Sequence, residues 1–514
     1  MMGTHYHTEV PPIPPVPDRA GARQWAGLAI LVLPVLLISV DMTVLSFAVP
    51  HLGEDLKPTS VQLLWIVDVY SFVLAALLVT MGSLGDRIGR RKLLVFGAAG
   101  FGLASLAAAL APTAAALIAA RALLGLAGAT LMPSTLSLIR SMFRDENQRR
   151  IAIAIWAAAL SGGSALGPVL GGALLEFFWW GSLFLINVPV TILIVVLAPL
   201  LIRESRAEEP SRLDPLSVVL LAAAMFPMVY GIKKVAVEGL APVPLLCITV
   251  GVALGVVFVR RQLLRTAPML DVRLFRIPQF TVGVMLNLIT LFAMIAALFF
   301  LTQYLQTVRD ISPLGAGLVL LPGMMCAIVA GFLAVTLSRW WGVTAVLVLG
   351  LALMAFGFVL FTQLVAGPHL PYLIVAFALI CFGMGLTQSL TNDAVLSAAP
   401  EDRAGAASAV SETGYELGAA LGIAILGSVL LSSYRSALGT PAGVPADSLA
   451  DAGEGVAAAA SAAAELSASQ SESLLSAAYS AFLSGIHTTS AVAAVILVAA
   501  AVLTGWALRT RKAA

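Results

Sequence analysis

Uncharged apolar runs of bilayer length recur along the whole chain, and they leave few folds open. A helix needs about 20 apolar residues to cross the hydrocarbon of a membrane. No water is available there to satisfy backbone N–H and C=O groups, so such segments enter as helices with internal hydrogen bonds. In the first half the runs are Trp25–Pro50, Gln62–Leu84, Leu93–Ala111, Ala115–Ile139, Ile151–Leu175 and Leu183–Ile202. Two runs with polar punctuation around them follow, Pro215–Ile232 and Pro242–Val259. The second half holds Phe280–Gln303, Leu314–Leu337, Val343–Leu364, Pro371–Leu396, Ala404–Leu431 and Thr488–Leu508. By length these predict about fourteen membrane helices in an all-α integral membrane protein.

Charge supports the same reading. Only 11% of the 514 residues are charged, against roughly 25% in a soluble domain. The formal net charge of +2 points to no acidic or basic partner, nucleic acid included. Cys247, Cys326 and Cys381 all lie within apolar runs without metal-ligand spacing and read as small core hydrophobes. The N-terminal residues, with Pro11 to Pro17, read as an extended tail in which His5 and His7 are solvated, and no cleavable signal peptide precedes the first run.

Basic residues should gather on the cytoplasmic side. With the N-terminus inside and the helices alternating, the inner loops hold Arg87, Arg90, Arg91 and Lys92, then Arg140, Arg144, Arg149 and Arg150, and the pattern continues to Arg509. The outer side keeps Lys57, Lys233, Lys234, Arg309 and Arg435. This bias predicts an even number of spans and both termini in the cytoplasm. One outer connection, Ser433 to about Ser484, is long and rich in Ala, Ser and acids, and could form a marginal surface helix or hairpin.

An acid at the centre of a membrane helix costs about 2.5–3.5 kcal/mol on insertion scales, so embedded acids mark function. Asp41 lies in the first span, Asp68 in the second, and Glu412 and Glu416 in the thirteenth. Asp41 and Asp68 can share a level on neighbouring helices. Glu412 and Glu416, four apart, share one helix face. An array of acids facing a common cavity would attract a cation and hold protons, whereas the plainer alternative is a hydrogen bond from each to a nearby Ser, Thr or backbone group. Asp393 and Glu176 fall near span ends and are weaker candidates. Arg121 is the only basic residue well inside a run, and it should meet a carbonyl or an acid.

The loop Gly82 to Lys92 reads GSLGDRIGRRK, where Asp86 beside Arg87 can latch a neighbouring helix end. The fifth span carries GSALGPVLGG, whose Gly163, Gly167, Gly171 and Gly172 allow close helix approach and whose Pro168 breaks a helical hydrogen bond. Order and spacing together resemble the major facilitator superfamily. The loop is similar to its loop signature, Arg121 to the arginine of its fourth helix, and the fifth-span stretch to its antiporter signature. SVDMTVLSFAVP around Asp41, with WIVDVYS, GGALLE, FLINVP, PMLDVRLF and GYELG, resembles the fourteen-helix drug:proton antiporters and, among them, the quaternary-ammonium exporters. The resemblance covers nearly the whole chain. It departs at Ser411, where some relatives carry an adjacent second Glu, and at PGMMCA (Pro322 to Ala327), which lacks an acid that some carry.

The resemblance implies two six-helix bundles (24–203 and 266–508, the latter including an extracytoplasmic loop 433–484). Between them come two extra helices (204–265), with cytoplasmic tails 1–23 and 509–514. It implies that Asp41, Asp68, Glu412 and Glu416 handle protons and cationic drugs, with Asp86, Arg87, Arg121 and the fifth-span residues serving conformational change or proton tuning. Trp65, Tyr70, Trp156 and Tyr415, with Phe299 and Tyr304, are candidate cavity aromatics that would hold organic cations through their ring faces; helix packing is the plainer role for most. The expectation is a monomeric exporter in the bacterial inner membrane. It would move monovalent lipophilic cations against protons, in contact with membrane lipid, without bound metal or cofactor. The rival readings are an exporter of an endogenous metabolite, antibiotic or lipid, and a sensor or scaffold without transport. No phosphate-binding loop or catalytic constellation points to an enzyme.

Overall fold

A computed structural model describes residues 20–206, 214–265, 268, 272–364, 370–398 and 404–509. Among these there is no strand. The helices are α1 Ala22–Leu56, α2 Ser60–Ile88, α3 Arg90–Ala109, α4 Ala114–Met142, α5 Glu146–Phe177, the short α6 Ser182–Leu185, α7 Asn187–Leu201, α8 Pro215–Glu238 and α9 Pro242–Leu264. There follow α10 Pro278–Gln303, α11 Pro313–Trp341, α12 Val343–Phe361, α13 Leu370–Ala398, α14 Ala404–Gly422, α15 Ser428–Leu438, α16 Ala446–Ala452, α17 Val456–Ala463 and α18 Ala468–Arg509. Among the described residues, fourteen spans are long and apolar enough to cross a membrane. In the thirteenth, α14 and α15 are joined by a π-helical turn at Ile423–Gly427.

Polar residues set the helix starts. Thr59, Thr113, Asp145, Asp214 and Ser312 each accept a hydrogen bond from the first turn they precede, supplying one of the acceptors that the free N–H groups need. Gly89 joins α2 directly to α3 at φ 113°, a conformation that side chains disfavour. The loop signature thus closes as a turn of one residue.

The helix pairs of the two halves correspond. In the first, α1 packs on α5, α2 and α3 on α4, and α3 on α7. In the second, α10 packs on α14, α11 and α12 on α13, and α12 on α18. The halves meet through α5 on α11, α2 on α14, and α1 on α10. The helices α8 and α9 form a hairpin, and α8 lies against α2 on one side and α15 on the other.

One end of the molecule carries the basic loops and the other carries a cap. At the basic end Arg91 donates to the carbonyls of Pro199 and Ile202, and Glu204 accepts from the Arg91 and Lys92 amides. The cap is residues 439–467, and it corrects one expectation. The thirteenth span runs on to Leu438 and the last helix begins at Ala468, so the connection is shorter than 433–484. Leu474, Ala478, Ala481, Phe482 and Ile486 give the early part of α18 a buried stripe that extends the helix. The Ala-rich segment forms short helices as expected, α16 packing on α17, and they are seated on the bundle: Ala452, Val456, Ala459 and Ala463 are buried, and α17 packs on α1 and α18.

Candidate functional site

Arg121 and Asp41 form the first part of a buried polar centre. The Arg121 guanidinium, 1% exposed, donates to Asp41 Oδ2 at 2.5 Å, to the Ile66 carbonyl at 3.2 Å and to the Val67 carbonyl at 3.4 Å. It lies 4.7 Å from the Tyr70 ring centroid. One side chain of α4 therefore ties α1 to α2, meeting both the acid and the carbonyls that its position in a membrane helix demanded. The fixed fork of the guanidinium suits three simultaneous acceptors.

Asp68 forms the second part, and its partner was not foreseen. Lys233 of α8 donates to Asp68 Oδ1 at 2.8 Å, with both side chains fully buried. The ammonium stands 3.7 Å from the Trp65 ring centroid and 6.0 Å from that of Phe72. Trp65 in turn stacks on Phe226 of α8. Lys233 is therefore not an outer-loop residue, as its place in the sequence suggests, and Arg121 is not the only embedded base among the described residues. The apolar run stops at Ile232, but the helix continues to Glu238 and turns Lys233 inward.

The remaining acids come from α14. Glu416 is buried beside Ser71 of α2, and Glu412 is half-buried one turn away. Tyr70 lies close enough to interact with Asp41, Glu416 and Arg121. Asp41, Asp68, Ser71, Arg121, Ala420 and Ile423 help to line a small cavity of about 10 Å³, room for about one water. Three carboxylate oxygens in this region, Asp41 Oδ1, Asp68 Oδ2 and Glu416 Oε2, are buried without a hydrogen-bond donor among the described residues. The structure thus brings Asp41, Asp68 and Glu416 together. The acids are not a bare array, since Asp41 and Asp68 each already hold a base.

In the second bundle the acids of α14 stand beside a hydrogen-bonded network of neutral side chains. Asn287 donates to Ser411 at 2.9 Å and accepts from Thr391, and the Tyr415 hydroxyl donates to Asn392 at 3.0 Å. Ser411, where some relatives carry a second Glu, is buried in this network.

The signature residues fall around the centre. A Cβ on Gly163, Gly167 or Gly171 would lie 2.7, 1.8 or 2.5 Å from Ser39, Thr43 or Val44, so α5 is seated directly on the stretch of α1 that bears Asp41. Gly172 faces the Pro313 carbonyl, and the Pro168 carbonyl faces Gly317, which makes the contact between α5 and α11 equally close. Asp86 accepts from Arg90 at 2.8 and 2.9 Å, latching α2 to the first residue of α3, while Arg87 is exposed. Of the aromatics, Tyr70 lines the small cavity and Trp65 faces Lys233. Trp156 is hydrogen-bonded to Thr135 at 3.1 Å within the first bundle, a packing role. Phe299 lines a second cavity of about 40 Å³ under the cap, and Tyr304 is buried.

Contacts between the bundles cluster toward the capped end. Thr302 donates to the Ser46 carbonyl, Gly427 approaches Leu64, and Glu176 accepts from the Leu314 amide. At the mouth, Glu454 of the cap accepts from the Ser60 amide and hydroxyl and from Arg435, which also donates to Ser60. That knot joins the start of α2 to α15. Glu176, a weak candidate from sequence, thus helps to close this end. Asp393 is helical, and its side chain lies outside what is described.

Comparison with known proteins gives concordant results. A family model described as Major Facilitator Superfamily matches residues 31–423. The "Multidrug efflux pump LfrA" of Mycolicibacterium smegmatis is 46% identical over 96% of this chain and 98% of its own length. The "Methyl viologen resistance protein SmvA" of Salmonella typhimurium is 37% identical over 77% of this chain and 80% of its own. The "Tetracenomycin C resistance and export protein" of Streptomyces glaucescens is 33% identical, covering 81% and 78%. Among solved structures, a bacterial homologue of the human lysosomal transporter Spinster, in an inward-facing and unoccupied conformation, superposes with a TM-score of 0.65. It has 16% identity, over 95% of this chain and 98% of that one.

Proposed function

The chain belongs to the Major Facilitator Superfamily, and we propose that it is a proton-driven antiporter that exports lipophilic organic cations by alternating access. At the coarser level it is a drug efflux transporter rather than an enzyme, a multi-pass protein of the bacterial inner membrane that handles small-molecule substrates. The finer reading rests on one observation: the buried centre holds more acids than bases. Asp41 is paired with Arg121 and Asp68 with Lys233, while Glu416 lies beside Asp41 and Ser71 with Glu412 one turn away.

A buried carboxylate is neutralised by a proton or by a cation. Occupation by one opposes occupation by the other, which is the requirement for antiport. With Asp41 and Asp68 held by bases, Glu412 and Glu416 supply the uncompensated charge. An organic cation entering from the basic end meets that charge. Opening of the capped end then exposes the centre to protons, which cancel the attraction and release the cation. Proton release on the other side resets the cycle, so a proton gradient is the energy source and no bound cofactor is needed. Relatives named for multidrug efflux and for methyl viologen resistance agree with cationic substrates. The relative named for tetracenomycin C resistance and export keeps an endogenous antibiotic as the second reading.

The test is ethidium movement in proteoliposomes under an imposed pH gradient, for the native chain and for Glu416→Gln and Asp41→Asn. Gradient-dependent flux lost in either variant supports the reading. Absence of ethidium flux in well-folded native protein overturns the cation assignment and turns the search to neutral antibiotics.

A further inference from the structure

Resting on the cation reading above, we propose that the Lys233 ammonium is a tethered occupant of an ammonium-binding site made by Asp68, Trp65 and Phe72, and that substrate cations bind there by displacing it. A carboxylate beside aromatic faces is the chemistry that recognises quaternary ammonium ligands. Here a cation of the chain itself already sits in such a place, 2.8 Å from Asp68 and 3.7 Å from the centre of Trp65.

The two bases of the centre are held differently. Arg121 is fixed by Asp41 and two backbone carbonyls on a neighbouring helix. Among the described residues Lys233 makes one hydrogen bond, to Asp68, and otherwise faces rings. Its charge is a compact point on a flexible stem. It comes from α8, in the hairpin outside both bundles, and lies five residues from the helix end at Glu238, roughly 7.5 Å along the axis. A lysine stem of that reach can leave its site and carry the ammonium out to the membrane interface. The second oxygen of Asp68 is buried without a donor among the described residues, and Asp68 lines the small central cavity, whereas Lys233 does not. Exchange of one cation for another on Asp68 leaves no buried carboxylate alone, which is the costly state. The ligand class that follows is a monovalent organic cation with an apolar shell.

The experiment is tetraphenylphosphonium binding to the purified full-length protein in detergent. An internal competitor scales apparent affinity by the fraction of time it leaves the site free, so with Lys233 away about a tenth of the time or less, Lys233→Gln should tighten binding at least about tenfold. Lys233→Arg should stay near the native value, and adding Asp68→Asn to Lys233→Gln should abolish the gain. Unchanged or weaker binding in folded Lys233→Gln, or a gain that survives Asp68→Asn, overturns the proposal. Should Lys233→Gln not fold, the native chain still decides. Tetraphenylphosphonium should raise acylation of Lys233 by a water-soluble amine reagent, read by mass spectrometry, and no rise overturns it. If the native chain transports tetraphenylphosphonium but Lys233→Gln gains nothing, only the tethered occupant falls. If the native chain moves no cation, yet Lys233→Gln binds one in an Asp68-dependent way, the antiporter reading falls and the ammonium site stands.

Discussion

Arg121 and Asp41 meet at 2.5 Å with each side chain 2% exposed, so neither charge has water to fall back on. Removing one partner of a buried pair costs about 3–5 kcal/mol, because the other is left uncompensated. Arg121→Gln and Asp41→Asn should each lower the unfolding temperature in detergent, and the double variant should lose less than the sum. Full additivity would mean that the two do not act as a pair. Arg121→Lys keeps the charge but cannot serve Asp41 and the carbonyls of Ile66 and Val67 together, and is expected to lose transport.

Gly167 is the tightest point between α5 and α1, with a Cβ placed there only 1.8 Å from Thr43 Oγ1. Gly167→Ala must push the helices apart, and overpacking of this kind costs about 1–3 kcal/mol. Thr43→Ala in the same chain should recover part of the loss in both stability and flux. Normal flux in Gly167→Ala alone would show that the seat of α1 is soft.

The cap sits within disulfide reach of α1, since a Cβ on Gly53 would lie 3.1 Å from the Ala457 Cβ, a few tenths of an ångström below the ~3.5–4.5 Å of a disulfide. With Cys247, Cys326 and Cys381 replaced, the pair Gly53→Cys and Ala457→Cys should cross-link on oxidation. If this end must open, oxidation stops transport and a reductant restores it. Complete cross-linking without loss of flux would show that cap and α1 move as one body.

Asp214 should set an acid limit for the α8–α9 hairpin. Burial alone would raise its pKa, but hydrogen bonds from Ser217 and from Arg261 hold it below the ordinary value of 3.8. Arg261 lies at 3.0 Å and Arg265 at 3.3 Å. A depressed folded-state pKa contributes stability that is present above the unfolded value and lost as pH falls through the folded one. Thermal unfolding from pH 3 to 8 should therefore show this contribution constant at neutral pH and fading only below about pH 4. Asp214→Asn keeps a capping oxygen but loses the ion pairs to Arg261 and Arg265, and should lower stability by roughly 1 kcal/mol or more at pH 7 and narrow the gap to the native chain in acid. An equal gap at both ends of the range would contradict the assignment.

Hydropathy made the fourteen spans legible, because the bilayer imposes a length rule on any sequence that crosses it. The cost of embedded charge made Asp41, Asp68, Glu416 and Arg121 legible for the same reason. Lys233 escaped because it stands next to the end of its apolar run, beside Lys234, where lysines commonly reach toward water. Adjacent helical residues point about 100° apart, so Lys233 and Lys234 take different directions once the helix runs on to Glu238. The cap escaped because it packs through alanines, which carry little hydropathy contrast. The pairing of Asp68 with Lys233 joins residues 165 positions apart, and spacing along one chain holds no record of it.

The α8–α9 hairpin has a consequence for how such transporters can be shortened or recombined. Because it supplies the base that answers Asp68, a chain cut down to its two six-helix bundles would inherit an unanswered charge at its centre. Trimming these helices would need a compensating change at Asp68, and grafting them elsewhere would import a cation in search of an anion. The fourteen-helix form is, in this respect, an electrical unit rather than twelve helices with an insertion.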